Sequence, residues 1–191
     1  MPVRMTEQAA APAGQRPQHL SLLVLGVAVA MAAVLVAWLV LKGGSSSAPS
    51  YEHPTLVSQA QLERFAHGLD HPMYWAGPKP GFSYELTAAK GRAWVRYLPA
   101  GVTAGDARSD FLVVGTYRQP NSYTNLLRAA RRPGGVSHKI GDNGLLVYSS
   151  ARPMSVYLSY PGADYQVEVY THSTRTARSL VEAGTITRIT R

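Results

Sequence analysis

Cysteine is absent from this sequence of 191 residues. Its absence excludes disulfide bonds, zinc sites built on thiolates, CxxC redox pairs and a cysteine nucleophile. Charged residues make up only 16% of the chain, and residues 20–41 contain none at all. The length allows one domain with an accessory segment, and it excludes a large multidomain protein.

The motifs of several enzyme classes are also missing. The sequence holds no HExxH metalloprotease pattern, no GxSxG nucleophile elbow and no GxxxxGK[ST] phosphate loop. Glu63, His67 and His71 are spaced by four residues, but Gly68 and Pro72 interrupt the helix on which they would share a face. We therefore expect no catalytic residue, no metal and no cofactor, and we predict that the protein is not an enzyme.

The longest apolar run is LSLLVLGVAVAMAAVLVAWLVL, residues 20–41. As a helix with about 1.5 Å rise per residue it spans roughly 33 Å, which is enough to cross a bilayer core. A cleaved signal peptide has an apolar region of only about 7–15 residues, followed by a small-residue cleavage site. The segment GGSSSAPS offers no clear site of that kind, so we predict a permanent transmembrane helix.

The charges that flank this run predict its orientation. Arg4 and Arg16 precede it, and Lys42 alone follows it closely, so the positive-inside rule places the N-terminus in the cytoplasm. The predicted organisation is a disordered cytoplasmic tail (1–19), a transmembrane helix (20–41), a flexible linker (42–54) and an extracytoplasmic domain (55–191).

Small residues recur at a spacing of four along the predicted span, at Gly26 and Ala30 and at Ala33 and Ala37. Such spacing lets two helices approach closely, although alanine is common in membrane helices for other reasons. These four residues are the candidate packing face of the transmembrane helix.

Apolar periodicity predicts an α+β domain in the C-terminal part of the chain. A first helix is capped by Thr55 or Ser58 and carries an apolar stripe from Leu56 to Leu69; two more helices are predicted at about 121–132 and 173–183. Strands are predicted over residues 73–75, 82–86, 93–98, 111–117, 136–140, 145–148, 154–160, 165–170 and 185–190. We expect an antiparallel sheet with two or three helices packed on it.

One short sequence pattern occurs twice in this domain. The pattern P-G-x-x-Y-[EQ]-[LV] occurs at residues 80–86 and again at residues 161–167. It indicates either a diverged duplication of an α+β unit or the chance similarity of two hairpins, because P-G turns and strand tyrosines are both common.

Basic residues supply the first candidate binding surface. Residues 51–191 hold sixteen Lys and Arg against ten Asp and Glu, a net charge of +6. Arg118, Arg128, Arg131 and Arg132 are candidate contacts for a phosphate or an anionic lipid, because guanidinium groups match such oxygens. The alternative is that they stabilise the C-terminal end of the second helix.

Tyrosines supply the second candidate surface, since all eleven lie beyond residue 50. Tyr148, Tyr157 and Tyr165 fall on predicted strands and form a candidate aromatic face for a sugar or peptide. The alternative is that their rings cover a half-exposed sheet while the hydroxyls stay in water. No nucleic-acid module is visible, so we expect no nucleic acid as a partner.

The overall sequence resembles a group of proteins without an assigned activity. Arginine outnumbers lysine fifteen to four, and the chain contains YWAGPKPGFSYELT, VRYLPAGV and MSVYLSYPGADYQVEVY. With its anchor and tether, the chain resembles, over most of residues 63–189, uncharacterised conserved single-pass membrane proteins of high-G+C Gram-positive bacteria. Residues 154–190 are similar to the extracytoplasmic domains of membrane-bound anti-sigma factors, although the cytoplasmic tail is too short for a sigma-binding domain.

These patterns predict a membrane-anchored extracytoplasmic binding or interaction module. Its expected partners are the membrane, and beyond that an anionic lipid, a cell-wall polymer or another protein. One alternative is an accessory subunit of a membrane complex that contacts its partner through the transmembrane helix. The other, with least support, is an envelope hydrolase.

The predicted topology can be tested by adding protease to intact cells. We expect the C-terminal domain to be removed, because residues 55–191 should lie outside the cytoplasm, while a cytoplasmic control protein stays intact. Full protection of the domain would contradict the predicted orientation.

Overall fold

The computed structural model describes residues 51–150 and 152–190. These residues form an α+β fold with a large antiparallel sheet and three helices. The helices are α1 (Gln59–His67), α2 (Ser122–Ala130) and α3 (Thr174–Glu182). The strands are β1 (Thr55–Val57), β2 (Tyr74–Trp75), β3 (Phe82–Ala89), β4 (Arg92–Pro99), β5 (Leu112–Arg118), β6 (Gly135–Ile140), β7 (Gly144–Ser149), β8 (Arg152–Ser159), β9 (Tyr165–Tyr170) and β10 (Thr187–Arg188).

The predicted tail, the predicted transmembrane helix and the first part of the predicted linker lie outside the described residues. Within residues 51–150 and 152–190, no helix is both long enough and apolar enough to cross a bilayer. The anchor at residues 20–41 therefore stays a prediction.

Eight strands form the main sheet, in the order β1-β3-β4-β5-β9-β8-β7-β6, with every neighbouring pair antiparallel. Each half is a meander, and the two halves meet at the pair β5 and β9. The two P-G-x-x-Y segments lead into β3 and β9, which occupy different positions in the two halves. The repeated sequence pattern therefore does not coincide with the symmetry of the strand order.

The predicted elements agree with the structure except at the start of the domain. Ser58 caps α1: its Oγ accepts a hydrogen bond from the Gln61 backbone N–H at 3.2 Å, and Gln61 Oε1 accepts one from the Ser58 N–H at 2.8 Å. Thr55 is not the cap, and Leu56 is not part of an apolar helix stripe. Both lie in β1, which pairs with β3 and was not predicted, and Leu56 is 45% exposed.

One face of the sheet, called here the core face, carries the main hydrophobic core. Strand residues that are fully buried there include Leu86, Val95, Val114, Val156 and Val167. Helices α1 and α3 pack on this face, and so does a two-stranded ribbon formed by β2 and β10. Because successive strand residues point to opposite faces, the alternate residues form a second surface, the open face.

Helix α2 covers one half of the open face, where Leu126 packs against Leu145 and Val147. Leu127 and Ala130 are partly buried and pack against the same cluster. The two layers of helices therefore lie on opposite sides of one sheet, which is a common way for an α+β domain to bury apolar surface.

A polar network fills the centre of the open face. Trp94 and Glu168 flank Gly115 on the neighbouring strands. Trp94 Nε1 donates to the Tyr117 hydroxyl at 3.0 Å, this hydroxyl donates to Glu168, and Ser155 Oγ donates to the other Glu168 oxygen at 2.7 Å. Both carboxylate oxygens thus have partners, which is what a carboxylate at the centre of a sheet requires.

Gly115 makes this arrangement of rings possible. A Cβ atom at this position would lie 2.8 Å from the Tyr117 hydroxyl oxygen and 3.0 Å from Trp94 Cδ1. Since the Tyr117 hydroxyl is fixed by the network, a side chain here must displace one ring or the other.

We expect Gly115→Ala to lower the free energy of unfolding by about 1–3 kcal/mol, the usual cost of overpacking. Gly141 is the matched control, because it has open space around its Cα and no positive φ. Gly141→Ala should leave stability within about 1 kcal/mol of the parent. Urea unfolding of the full-length protein in detergent micelles, followed by circular dichroism, gives both values; equal stabilities would contradict the packing argument.

Candidate functional site

The ribbon of β2 and β10 positions the candidate site. Arg188 lies opposite Tyr74 in the ribbon. The Tyr74 backbone N–H donates to Thr116 Oγ1 on β5 at 3.1 Å, which ties the ribbon to the middle of the main sheet. The Ile189 N–H also donates to the Met73 carbonyl at 2.9 Å, so both strands of the ribbon are held in register.

Arg188 is held by two tyrosines from different parts of the fold. Its Nε donates to the Tyr74 hydroxyl at 2.9 Å, and its Nη2 donates to the Tyr165 hydroxyl at 2.7 Å. The two hydroxyl oxygens are 3.1 Å apart, and both tyrosines are buried. Within the described part of the chain, the Arg188 guanidinium has no ion pair with an acidic side chain.

The hydrogen-bond donors of the Arg188 cluster, which consists of Arg188, Tyr74 and Tyr165, indicate what it can bind. A guanidinium has five N–H donors and no acceptor, and each phenol has one O–H. Two N–H groups go to the tyrosine oxygens, and one hydroxyl donates to the other, which leaves three N–H groups and one O–H without an acceptor within the cluster. The cluster therefore has surplus donors, and it favours a ligand that brings acceptor oxygens and negative charge.

Arg188 and Tyr74 keep their protons at neutral pH. Burial raises the pKa of Tyr74 well above its usual range, although Arg188 acts in the opposite direction. The hydrogen bond to Tyr74 raises the pKa of Arg188 further above its ordinary value. Arg188 is therefore cationic, and neither Arg188 nor Tyr74 exchanges protons readily near neutral pH.

A groove of about 860 Å³ runs beside this cluster. It lies between the β6–β7 turn, the start of the β8–β9 turn, the end of α3 and the ribbon. It is lined by Tyr74 and by residues 140–143, 158, 160–161, 181–184 and 186–188. Its volume falls within the range of small-molecule sites.

Local sequence explains one wall of the groove. Asp142 and Asn143 adopt φ of 55° and 57°, which these residue types tolerate and which a tight hairpin requires. Gly144 follows, and a Cβ there would lie 2.8 Å from the Tyr160 ring and 2.7 Å from the Ile140 side chain. The glycine thus lets Tyr160 pack directly against the turn.

A second cavity, of about 380 Å³, lies beside Lys79, Phe82, Phe111 and His172. It is smaller, and both cations that line it already have partners: Arg108 pairs with Asp106 at 3.0 Å, and Lys79 Nζ lies 3.9 Å from the centroid of the Phe82 ring. For this reason the groove beside Arg188 is the better candidate.

The four predicted arginines do not form the site. Arg118 ends β5 and pairs with Asp70, beyond the end of α1, at 3.0 Å. Arg128 donates to Asn125 Oδ1 at 3.0 Å, and Arg131 and Arg132 follow the last residues of α2. Because α1 and α2 pack on opposite faces of the sheet, Arg118 is separated from the other three.

The three predicted tyrosines do not share one face. Tyr148 is on the core face, where its hydroxyl contacts His138 Nε2 at 3.3 Å and Arg178 Nη1 at 3.2 Å. Tyr157 points to the open face and accepts from Arg152 Nη1 at 3.3 Å. Tyr165 is buried and holds Arg188, so it supports the candidate site without forming an exposed aromatic surface.

The remaining predicted residues are the candidate packing face of the transmembrane helix and the spaced residues Glu63, His67 and His71. Gly26, Ala30, Ala33 and Ala37 lie outside the described residues. Helix α1 ends at His67 before the Gly68 cap, so His71 leaves the helix face, as predicted. Among the described residues, no group of three or more His, Asp or Glu side chains is arranged to hold a metal.

Arg188, Tyr74 and Asp142 were not among the site residues predicted from the sequence. The available signal was weak: Arg188 is the one charged residue in the predicted strand 185–190. A cation inside an otherwise uncharged strand indicates a specific partner, but it does not identify that partner.

No known protein family, curated protein or solved structure matches this chain. The resemblance to single-pass membrane proteins of high-G+C Gram-positive bacteria therefore stays a prediction.

Proposed function

We propose that this protein is a membrane-anchored extracytoplasmic binding module whose site is the groove beside Arg188. Residues 20–41 would hold it in the membrane, and residues 55–191 would face away from the cytoplasm. The observation that carries the proposal is an Arg188 guanidinium fixed by two tyrosines, beside a groove and without an acidic partner among the described residues.

This geometry favours a ligand with a carboxylate or phosphate group. An arginine that lacks an acid and keeps three N–H groups available provides the paired donors that such oxygens accept. The tyrosine hydroxyls fix the guanidinium before the ligand arrives, which reduces the entropy lost on binding. An anionic lipid headgroup, a cell-wall polymer and a small acid all carry groups of this kind.

The same geometry supports binding rather than catalysis. A guanidinium stays protonated, and burial raises the pKa of Tyr74, so this tyrosine holds its proton at neutral pH. General acid–base catalysis requires a group whose pKa lies near the working pH. The Arg188 cluster does not have that property, so we retain the proposal of a non-enzymatic module over an envelope hydrolase.

The strand order of the main sheet also supports an origin of the domain by duplication, because its two halves have the same order of strands outward from the pair β5 and β9. If the domain arose by duplication, the equivalent strands are β1 and β6, β3 and β7, β4 and β8, and β5 and β9. The repeated P-G-x-x-Y pattern would then be a chance similarity of two hairpins.

Binding can be tested with N-acetylalanine, a small carboxylate with little apolar surface, and full-length protein in micelles of an uncharged detergent. We expect Arg188→Gln to weaken binding by about tenfold or more, because it removes a charge-assisted pair of donors. Saturation-transfer-difference NMR, with titration of the probe, measures the affinity.

The matched control is Arg118→Gln, which removes an exposed arginine outside the groove and should leave the affinity unchanged. Arg188→Lys keeps the charge but loses the planar pair of donors, so an intermediate affinity is expected. Circular dichroism shows whether each variant is folded. Equal affinity of Arg188→Gln and the parent protein would contradict the proposed site.

A further inference from the structure

We infer that the groove takes a small zwitterion, an amino acid or a short peptide with a free amino and a free carboxyl group. The carboxylate would meet Arg188 and the ammonium would meet Asp142. This inference rests on the proposed function, because it assigns the ligand class of the same site, and it comes from the β6–β7 turn, which forms another wall of the groove.

Asp142 supplies the negative charge of this wall. It lies in the β6–β7 turn with φ of 55° and lines the groove. Within residues 51–150 and 152–190, its carboxylate takes part in no hydrogen bond and no ion pair. A carboxylate that lines the same groove as an arginine can pair with an ammonium group of the ligand.

The end of α3 also lines the groove, and the Glu182 carboxylate there already pairs with Arg178 Nε at 3.5 Å. The groove is lined by Glu182, the last residue of the helix, and by Ala183 and Gly184, which end it. Gly184 adopts φ of 67°, and its N–H donates to the Val181 carbonyl at 3.0 Å, which closes the last turn. A helix C-terminus carries partial negative charge and favours a nearby cation.

Tyr160 lies between the two charged ends. Its ring stacks on that of Tyr74, with centroids 6.3 Å apart, and it packs against the turn that carries Asp142. Both charged groups affect the pKa of its hydroxyl: burial, Tyr165 and Asp142 raise the pKa of Tyr160, whereas Arg188 lowers it. An ammonium beside Asp142 can therefore also contact an aromatic face.

The floor of the groove is apolar. Leu158, Val181 and Ile186 line it, and each is less than 7% exposed. This surface suits the small aliphatic part of an amino acid or short peptide, and it offers no partner for a third polar group. The charge pattern, positive at the ribbon and negative at the turn, selects a ligand with both charges.

Three peptides test the two charges of the ligand one at a time. Dialanine carries both charges, N-acetyl-dialanine lacks the ammonium, and dialanine amide lacks the carboxylate. We expect dialanine to bind full-length protein in uncharged micelles about fivefold more tightly than N-acetyl-dialanine. Dialanine amide should bind most weakly. Saturation-transfer-difference NMR titrations give the three affinities.

Asp142→Asn should abolish the preference for dialanine over its acetylated form, because asparagine tolerates the same backbone conformation but carries no charge. Asp164→Asn is the matched control: Asp164 is an exposed acid in the β8–β9 turn that does not line the groove, and the preference should persist.

The outcomes distinguish this inference from the proposed function. Equal or tighter binding of N-acetyl-dialanine, still lost in Arg188→Gln, would overturn the zwitterion and leave the proposed carboxylate site intact. Failure of all three peptides to bind, or binding that does not depend on Arg188, would overturn both. Preference for dialanine that survives Asp142→Asn would overturn the role of Asp142.

Discussion

The candidate site depends on the contact of Arg188 with Tyr74 and Tyr165. It joins the β2–β10 ribbon to β9, one of the two central strands of the main sheet. The ribbon is short, and its main-chain ties to the rest of the fold are few. The guanidinium therefore adds to the attachment of the ribbon, whose Tyr74 and Trp75 are buried in the main core, and it provides the charge beside the groove.

A cation in this position is tolerated because its neighbours are tyrosines. Phenylalanines would leave the guanidinium against apolar rings, whereas an acid would neutralise it and remove its attraction for a ligand. Phenol oxygens accept hydrogen bonds without cancelling the charge. The same choice of residue recurs at Tyr97, whose hydroxyl accepts from the Ala76 N–H at 2.7 Å and donates to the Gly77 carbonyl at 3.0 Å, just beyond β2.

Most of the fold could be predicted from local sequence, but the site could not. The Ser58 cap, the Asp142-Asn143-Gly144 turn and the alternation in β8 and β9 are decided by neighbouring residues. β1 was missed because three residues carry too little periodicity, and their partner strand is distant. The contact of Arg188 with Tyr74 joins residues 114 positions apart, so no local pattern could reveal it. The basic and aromatic clusters that were visible in sequence are divided between the two faces of the sheet.

An experimental structure of the full-length protein with dialanine bound is the most direct test of the central claim. We expect the peptide carboxylate within hydrogen-bond distance of the Arg188 guanidinium, with Tyr74 and Tyr165 still accepting from the same side chain. A peptide bound elsewhere, at the α2 arginines or on the open face, would contradict it. So would an Arg188 side chain that has left the two tyrosines and paired with an acid.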